Sequence, residues 1–254
     1  MFPDTFTLLQ NEGYLMQGCL KQSLARILAI ENAQPDPYYA AFFDYTIGLE
    51  RTLKLILLLD KWHTARQFLT NEDLRAKGHN LFKLHREVLP LFQQYGVPFH
   101  PPLDNINTEI LKFLADFANG SRYYNLNALA GADPAHAINP IFRWQRLFYQ
   151  VYQQDDPKAE RITCKPDVPE DEMPDNDLWA HHCIMAAARK HICWRLVQLL
   201  IPLKSLLTEV SHEVHGDDQT IGGPGAGISV PFMEEFLDFV CDDKTIVDDP
   251  EEWP

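Results

Sequence analysis

Glu50 and Lys54 stand four residues apart. On a helix that spacing puts a carboxylate and an ammonium on one face. The segment Arg122-Tyr123-Tyr124-Asn125 adds a second polar group of different character. A guanidinium can fork two hydrogen bonds to a phosphate, and a tyrosine ring can stack on a base. His79 stands between these segments in the chain and follows a glycine. Glu50, Lys54, His79, Arg122, Tyr124 and Asn125 are therefore the candidate ligand-binding residues. They also have a plain structural explanation. Arg122 would pair with a buried acid such as Glu50, the tyrosines would pack at a helix end, and His79 would cap a helix. No set of residues forms a specific catalytic motif, so no catalytic residue is assigned.

Other groups invite chemistry less strongly. His212 and His215, with Glu213, lie on one helical turn, but no third ligand at a fixed spacing completes a metal site. His181, His182 and His191 leave open a helical enzyme that carries haem or another cofactor. His181 and His191 are ten residues apart and do not meet on one turn. The glycines at 222, 223, 225 and 227 follow no strand and precede no Gly-Lys-Ser/Thr, which suits a loop better than a phosphate cradle. Neither a cofactor nor a metal is expected. The five cysteines are odd in number and widely spaced, which favours free thiols over a disulfide framework.

The elements that would position these groups are helical. The stretch from Tyr38 to Trp62 has no proline and only one glycine, Gly48. From Leu53 to Leu59 it is apolar nearly all round, so it should run through the middle of a bundle. Its polar residues, Asp44, Glu50, Arg51 and Lys54, should face a surface or groove. A first helix is expected over 13–31, ended by Pro35-Asp36-Pro37. Thr70 with Asp73 could cap a short turn, and His79 or Asn80 could start a helix through Leu81, Leu84, Val88 and Phe92. Pro90 should kink or shorten that helix. Asp104 or Asn105 opens the next, which Asn119-Gly120 closes. Further helices are expected over 138–153 and 178–215, with a kink or break near 201 from Pro202, and a short one over 231–240. No strand pattern is convincing.

The fold class is thus all-α. Residues 1–153 form a bundle, 154–177 an acidic connector with four prolines, 178–240 a helical extension, and 241–254 an acidic tail. The formal net charge of −14 works against general attraction to nucleic acid, so RNA binding would need a local basic groove. The first residues lack the basic region and long apolar core of a signal peptide, and no segment is apolar enough to span a bilayer. A soluble cytoplasmic protein, without a membrane partner, is the expectation.

Three segments carry a family resemblance. They are Tyr45-Thr46-Ile47-Gly48-Leu49-Glu50-Arg51-Thr52-Leu53-Lys54-Leu55, then Gly78-His79-Asn80-Leu81, then Arg122-Tyr123-Tyr124-Asn125-Leu126. In this order the chain resembles the HEPN superfamily (higher eukaryote and prokaryote nucleotide-binding domain) over roughly residues 10 to 150. The resemblance implies a four- or five-helix bundle that often dimerises. It implies RNA, a nucleotide or a protein as partner, in prokaryotic toxin–antitoxin or defence settings, and in many members metal-independent ribonuclease activity. The family's nuclease motif is an arginine, four to six residues, then a histidine. Here Arg75 and His79 have three residues between them, and Arg189 and His191 have one. A non-catalytic protein is therefore the first expectation, with a ribonuclease of composite site as the alternative. A homodimer is also expected, because Phe42, Phe43, Trp144 and Phe148 look like an apolar face in need of cover.

Overall fold

The long apolar stretch becomes the axis of the molecule. In the computed structural model, which describes residues 4–30, 35–98, 103–131, 139–156, 176–220 and 229–247, there are eight α-helices and no strand among those residues. They are α1 (Asp4–Leu28), α2 (Pro35–Ala65), α3 (Asn71–Lys77), α4 (Leu81–Gln94), α5 (Asn105–Asn119), α6 (Tyr124–Leu129), α7 (Pro140–Asp155) and α8 (Asn176–Thr220). Helix α2 packs on α1, α4, α5 and α8. Its Leu49, Leu53, Ile56 and Leu59 are almost wholly buried. Helix α8 packs on α2, α7 and α1 and brings Leu196, Leu200, Leu203 and Leu207 into the same core. No described helix is long and apolar enough to cross a membrane.

Local signals set four of the eight helix starts. Thr70 and Asp73 form a reciprocal capping box, at 3.1 and 3.0 Å. Asn80 accepts the Lys83 amide, and Asp104 accepts the Asn107 amide. Asn139 caps α7, with Pro140 at its first turn, where the missing amide proton costs nothing.

The prolines end no helix among those described. Pro35 opens α2 instead of closing α1, which already ends at Leu28. Helix α1 also begins at Asp4, well before residue 13. Pro90 and Pro202 both lie inside continuous helices. Pro90 and Arg86, whose carbonyl the proline leaves without its helical donor, are on the exposed side of α4, where solvent can serve it. Pro202 and Gln198 sit on the half-buried flank of α8. After α8, Met233–Leu237 and Lys244–Val247 are 3-10 turns, not one helix over 231–240.

The aromatic face expected to seek a partner is mostly internal. Phe42, Trp144 and Phe148 are essentially buried, and only Phe43 is exposed, at 44%. Phe42 meets Trp144 and Phe113 edge-on, with centroids 4.4 and 4.8 Å apart. Phe148 packs edge-on against Trp144 at 5.0 Å. Helices α2, α5 and α7 thus cover one another, and these three rings give no reason for a dimer.

Two close contacts bind the helices further. A Cβ on Gly48 would lie 2.6 Å from Leu20 Cγ, so glycine is what lets α1 cross α2 this closely. The Tyr45 hydroxyl donates to the Leu196 carbonyl at 2.7 Å, joining α2 to α8.

Arg195 on α8 forms a network that the sequence did not announce. Its Nε and one terminal nitrogen donate to the two Asp155 oxygens, each at 2.6 Å. Its other nitrogen donates to Asp104 and, at 3.4 Å, to the side-chain Oδ1 of Asn107. The cap of α5, the end of α7 and the middle of α8 therefore meet at one buried guanidinium. Most of the acidic connector, residues 157–175, lies outside the described residues, as do the tail from 248 and Cys164. Of the loop expected over 216–227, residues 216–220 instead continue α8 to Thr220, and the rest lies outside the described residues. The side chains of His181, His182 and Cys183 also lie outside them.

Candidate functional site

The polar side of α2 opens on a groove of about 880 Å³. Helix α2 contributes Phe43, Thr46, Ile47, Glu50, Arg51, Lys54, Leu55 and Leu58. These positions recur every three or four residues and form one stripe. Thr5, Leu8, Leu9 and Glu12 supply a matching stripe from α1. Phe68 and Leu74 close one end, His79 a side, and Ala118 near the end of α5 and Arg122 just after it complete the lining.

The polar groups of the groove are largely tied to one another. Lys54 donates to Glu50 at 2.7 Å. The His79 ring nitrogen Nδ1 lies 2.9 Å from the other Glu50 oxygen. A carboxylate only accepts, so this nitrogen carries the proton. Local chain chemistry brings His79 here. Gly78 ends α3 with φ of 65°, a conformation that favours glycine, and Asn80 caps α4. His79 is the single residue between those two caps, held at the corner over α2. Arg51 pairs with Glu12 across the gap between α2 and α1. Asp44, the remaining polar residue in the first half of α2, turns to Arg26 at 3.3 Å and is not in the groove.

Arg122 is the exception. It has no carboxylate partner among the described residues, and its Nε is buried with no hydrogen-bond partner. Its guanidinium lies 5.7 Å from the Phe43 ring centroid and 5.1 Å from that of Tyr123. The expected pairing with Glu50 is absent. Glu50 is instead shared by Lys54 and His79, and the aromatic faces hold the cation by quadrupole attraction. Arg122 nevertheless lines the same groove as those three residues.

Tyr124 and Asn125 are placed elsewhere. Both belong to α6, which has no buried residue, and neither lines the groove. Glu50, Lys54, His79 and Arg122 are thus brought together, and Tyr124 and Asn125 are not. Glu12, Arg51, Phe43 and Phe68 complete the groove; Arg51 was expected on the polar side of α2 but not among the binding residues, Phe43 was expected on a dimer face, and Glu12 and Phe68 were not singled out. For Arg51 and Phe43 a signal existed, since both follow the three-four spacing of Glu50 and Lys54. For Glu12 and Phe68 none did.

The histidines of the second half are dispersed. His191 accepts from Lys244 at 3.2 Å and lies 3.6 Å from Asp156. His212 faces Glu234, and His215 lies beside Phe232. Among the described residues, no group of three or more His, Cys, Asp or Glu side chains is placed to hold a metal ion. Cys193 is buried, and burial raises its thiol pKa far above the ordinary value.

The chain matches no protein-family model, no curated protein and no solved structure.

Proposed function

We propose that this is a HEPN-like helical protein that binds a partner or ligand in the α1–α2 groove and does not transform it. One observation carries the reading. Arg122 lines a large, mostly apolar groove yet has no acid to neutralise it among the described residues. Around it, three cations (Arg51, Lys54 and Arg122) face two carboxylates (Glu12 and Glu50), so the groove is locally cationic on a chain of net charge −14. An anionic group on the ligand would complete Arg122. The resemblance to HEPN proteins supports RNA, a nucleotide or a protein as the class of partner, and a prokaryotic defence or stress setting. It also supports a homodimer.

The test is binding with a stability control. Arg122→Ala removes contacts with two aromatic rings, each worth about 0.5–1 kcal/mol at such sites. Unfolding stability should fall by only about 1–2 kcal/mol, while affinity for the bound partner should fall at least about tenfold. A much larger stability loss with unchanged affinity would make Arg122 a structural residue and end this reading.

A second reading has its own observation. Glu50 holds Nδ1–H of His79, so the neutral ring keeps its Nε2 lone pair, and Arg122 lines the same groove. A base and a cation are what metal-independent RNA cleavage requires. Incubation of the protein with RNA in excess chelator decides it. Cleavage that disappears in His79→Ala and in Arg122→Ala would establish a ribonuclease with a composite site.

A further inference from the structure

We infer that the groove is the seat of an amphipathic α-helix from a partner protein, whose apolar stripe lies on α1 and α2 and whose acidic side chain reaches Arg122. The inference rests on the reading of the groove as a binding site.

Shape is the first argument. The α2 stripe runs from Phe43 to Leu58, four turns, or about 22 Å at 1.5 Å per residue. The α1 stripe beside it runs from Thr5 to Glu12 at the same spacing. Two helix stripes meeting at an angle form a trough that a third helix fills, the arrangement found where amphipathic helices dock in grooves. Leu8 is 68% exposed and Phe43 44% exposed, so apolar surface stands open on both walls. A single nucleotide would occupy only part of such a length.

Charge is the second argument. An RNA strand presents a row of phosphates and would need several uncommitted cations. Arg51 and Lys54 are already bound to Glu12 and Glu50. Arg122 alone among the groove's cations lacks an acid, and it lies at the Phe43 end. The complement is one carboxylate at one end of a mainly apolar stripe. It would therefore be a helix of about four turns, with apolar residues at i, i+3 or i+4, i+7 and i+11. Its Asp or Glu would sit over Phe43. The exposed apolar faces of α6 and α7 suit the trough poorly. On α7, Phe142 and Tyr149 flank Arg146, and α6 is only six residues long and has no acid.

The experiment selects helical peptides of about 16 residues from a displayed library against the full chain. Binding of the selected, fluorescently labelled peptides is then measured by anisotropy. Leu8→Glu and Arg122→Glu serve as variants, with thermal melting to confirm folding; Leu8 is exposed enough that its replacement leaves the core intact. The expected result is enrichment of apolar-stripe peptides with an acid near one end. Their Kd should rise at least tenfold in each variant, which corresponds to about 1.4 kcal/mol. Changing the peptide acid to Lys should restore binding to Arg122→Glu. Selected peptides that bind all variants equally, or no enrichment at all, overturn the inference. In that case a 12-nucleotide RNA and mononucleotides distinguish the levels. If either binds and loses affinity in Arg122→Glu, the groove is a binding site for another class of ligand. If neither binds, the underlying reading fails too. A dimer in light scattering that Leu8→Glu dissociates would name a second copy as the occupant and also overturn the inference.

Discussion

His79 Nδ1 lies 2.9 Å from Glu50 Oε2, although 29 residues separate the two in the chain. The same carboxylate takes the Lys54 ammonium at 2.7 Å. Glu50 is thus the hub of the groove's polar floor, joining the middle of α2 to the corner between α3 and α4. Its side chain is only 17% exposed, so its partners cannot simply be replaced by water.

Removing that hub should cost stability. Glu50→Ala leaves Lys54 half-buried without its acid and frees the His79 corner. The loss should be about 1–2 kcal/mol, between the values for exposed and buried pairs. Urea unfolding measures it. His79→Ala should cost less, because the ring is 67% exposed.

Arg195→Met should be the most damaging of the charge changes. Arg195 is 7% exposed and separates Asp155 from Asp104. Without it the two carboxylates lose their shared cation. Removal of one partner from a buried pair costs roughly 3–5 kcal/mol. Arg195→Lys should recover only part, because one ammonium cannot reproduce the forked contact with Asp155. Denaturant midpoints for the two variants should therefore fall in the order Met below Lys below wild type.

Gly48→Ala should destabilise the α1–α2 crossing by about 1–3 kcal/mol, the range for overpacking. In an open helix position the same change would help by up to about 1 kcal/mol. The sign of the measured change therefore reports whether the two helices approach as closely as the 2.6 Å clash with Leu20 requires.

Stability should also fall as pH drops below neutrality. Burial lowers the pKa of His85 from 6.5. For His191 burial acts first and Lys244 adds to it, partly offset by Asp156 and Asp155. A group with its folded pKa below its unfolded one binds more protons when unfolded. Its contribution is full above pH 6.5 and is lost as pH falls through the folded value. Unfolding between about pH 7.5 and 5 should show this slope, and His85→Gln should flatten it. A stability that rises on acidification through this window would contradict the assignment.

Much of the fold was legible because its signals are local. Thr70, Asn80 and Asp104 announce helix starts, since a side chain three residues from an amide can satisfy it without help from the rest of the molecule. The apolar run through α2 declared itself central for a similar reason, as no helix can expose leucines all round. Spacing alone also put Glu50 and Lys54 on one face. What failed depended on which surfaces meet. Phe42, Trp144 and Phe148 read as an open face, but they bury one another across α2, α5 and α7. Pro90 and Pro202 read as kinks or breaks; neither breaks its helix, and both fall off the buried stripe. Arg122 was expected on Glu50, but a charge takes whichever partner the packing brings nearest. Here that is Phe43 and Tyr123, while Glu50 goes to Lys54 and His79. The sequence by itself determined the long helices and the polar face of α2. Only the tertiary structure decided which charges pair, which aromatics are hidden and that a groove is left open between α1 and α2. Those outcomes turn on contacts between residues tens of positions apart, which periodicity does not encode.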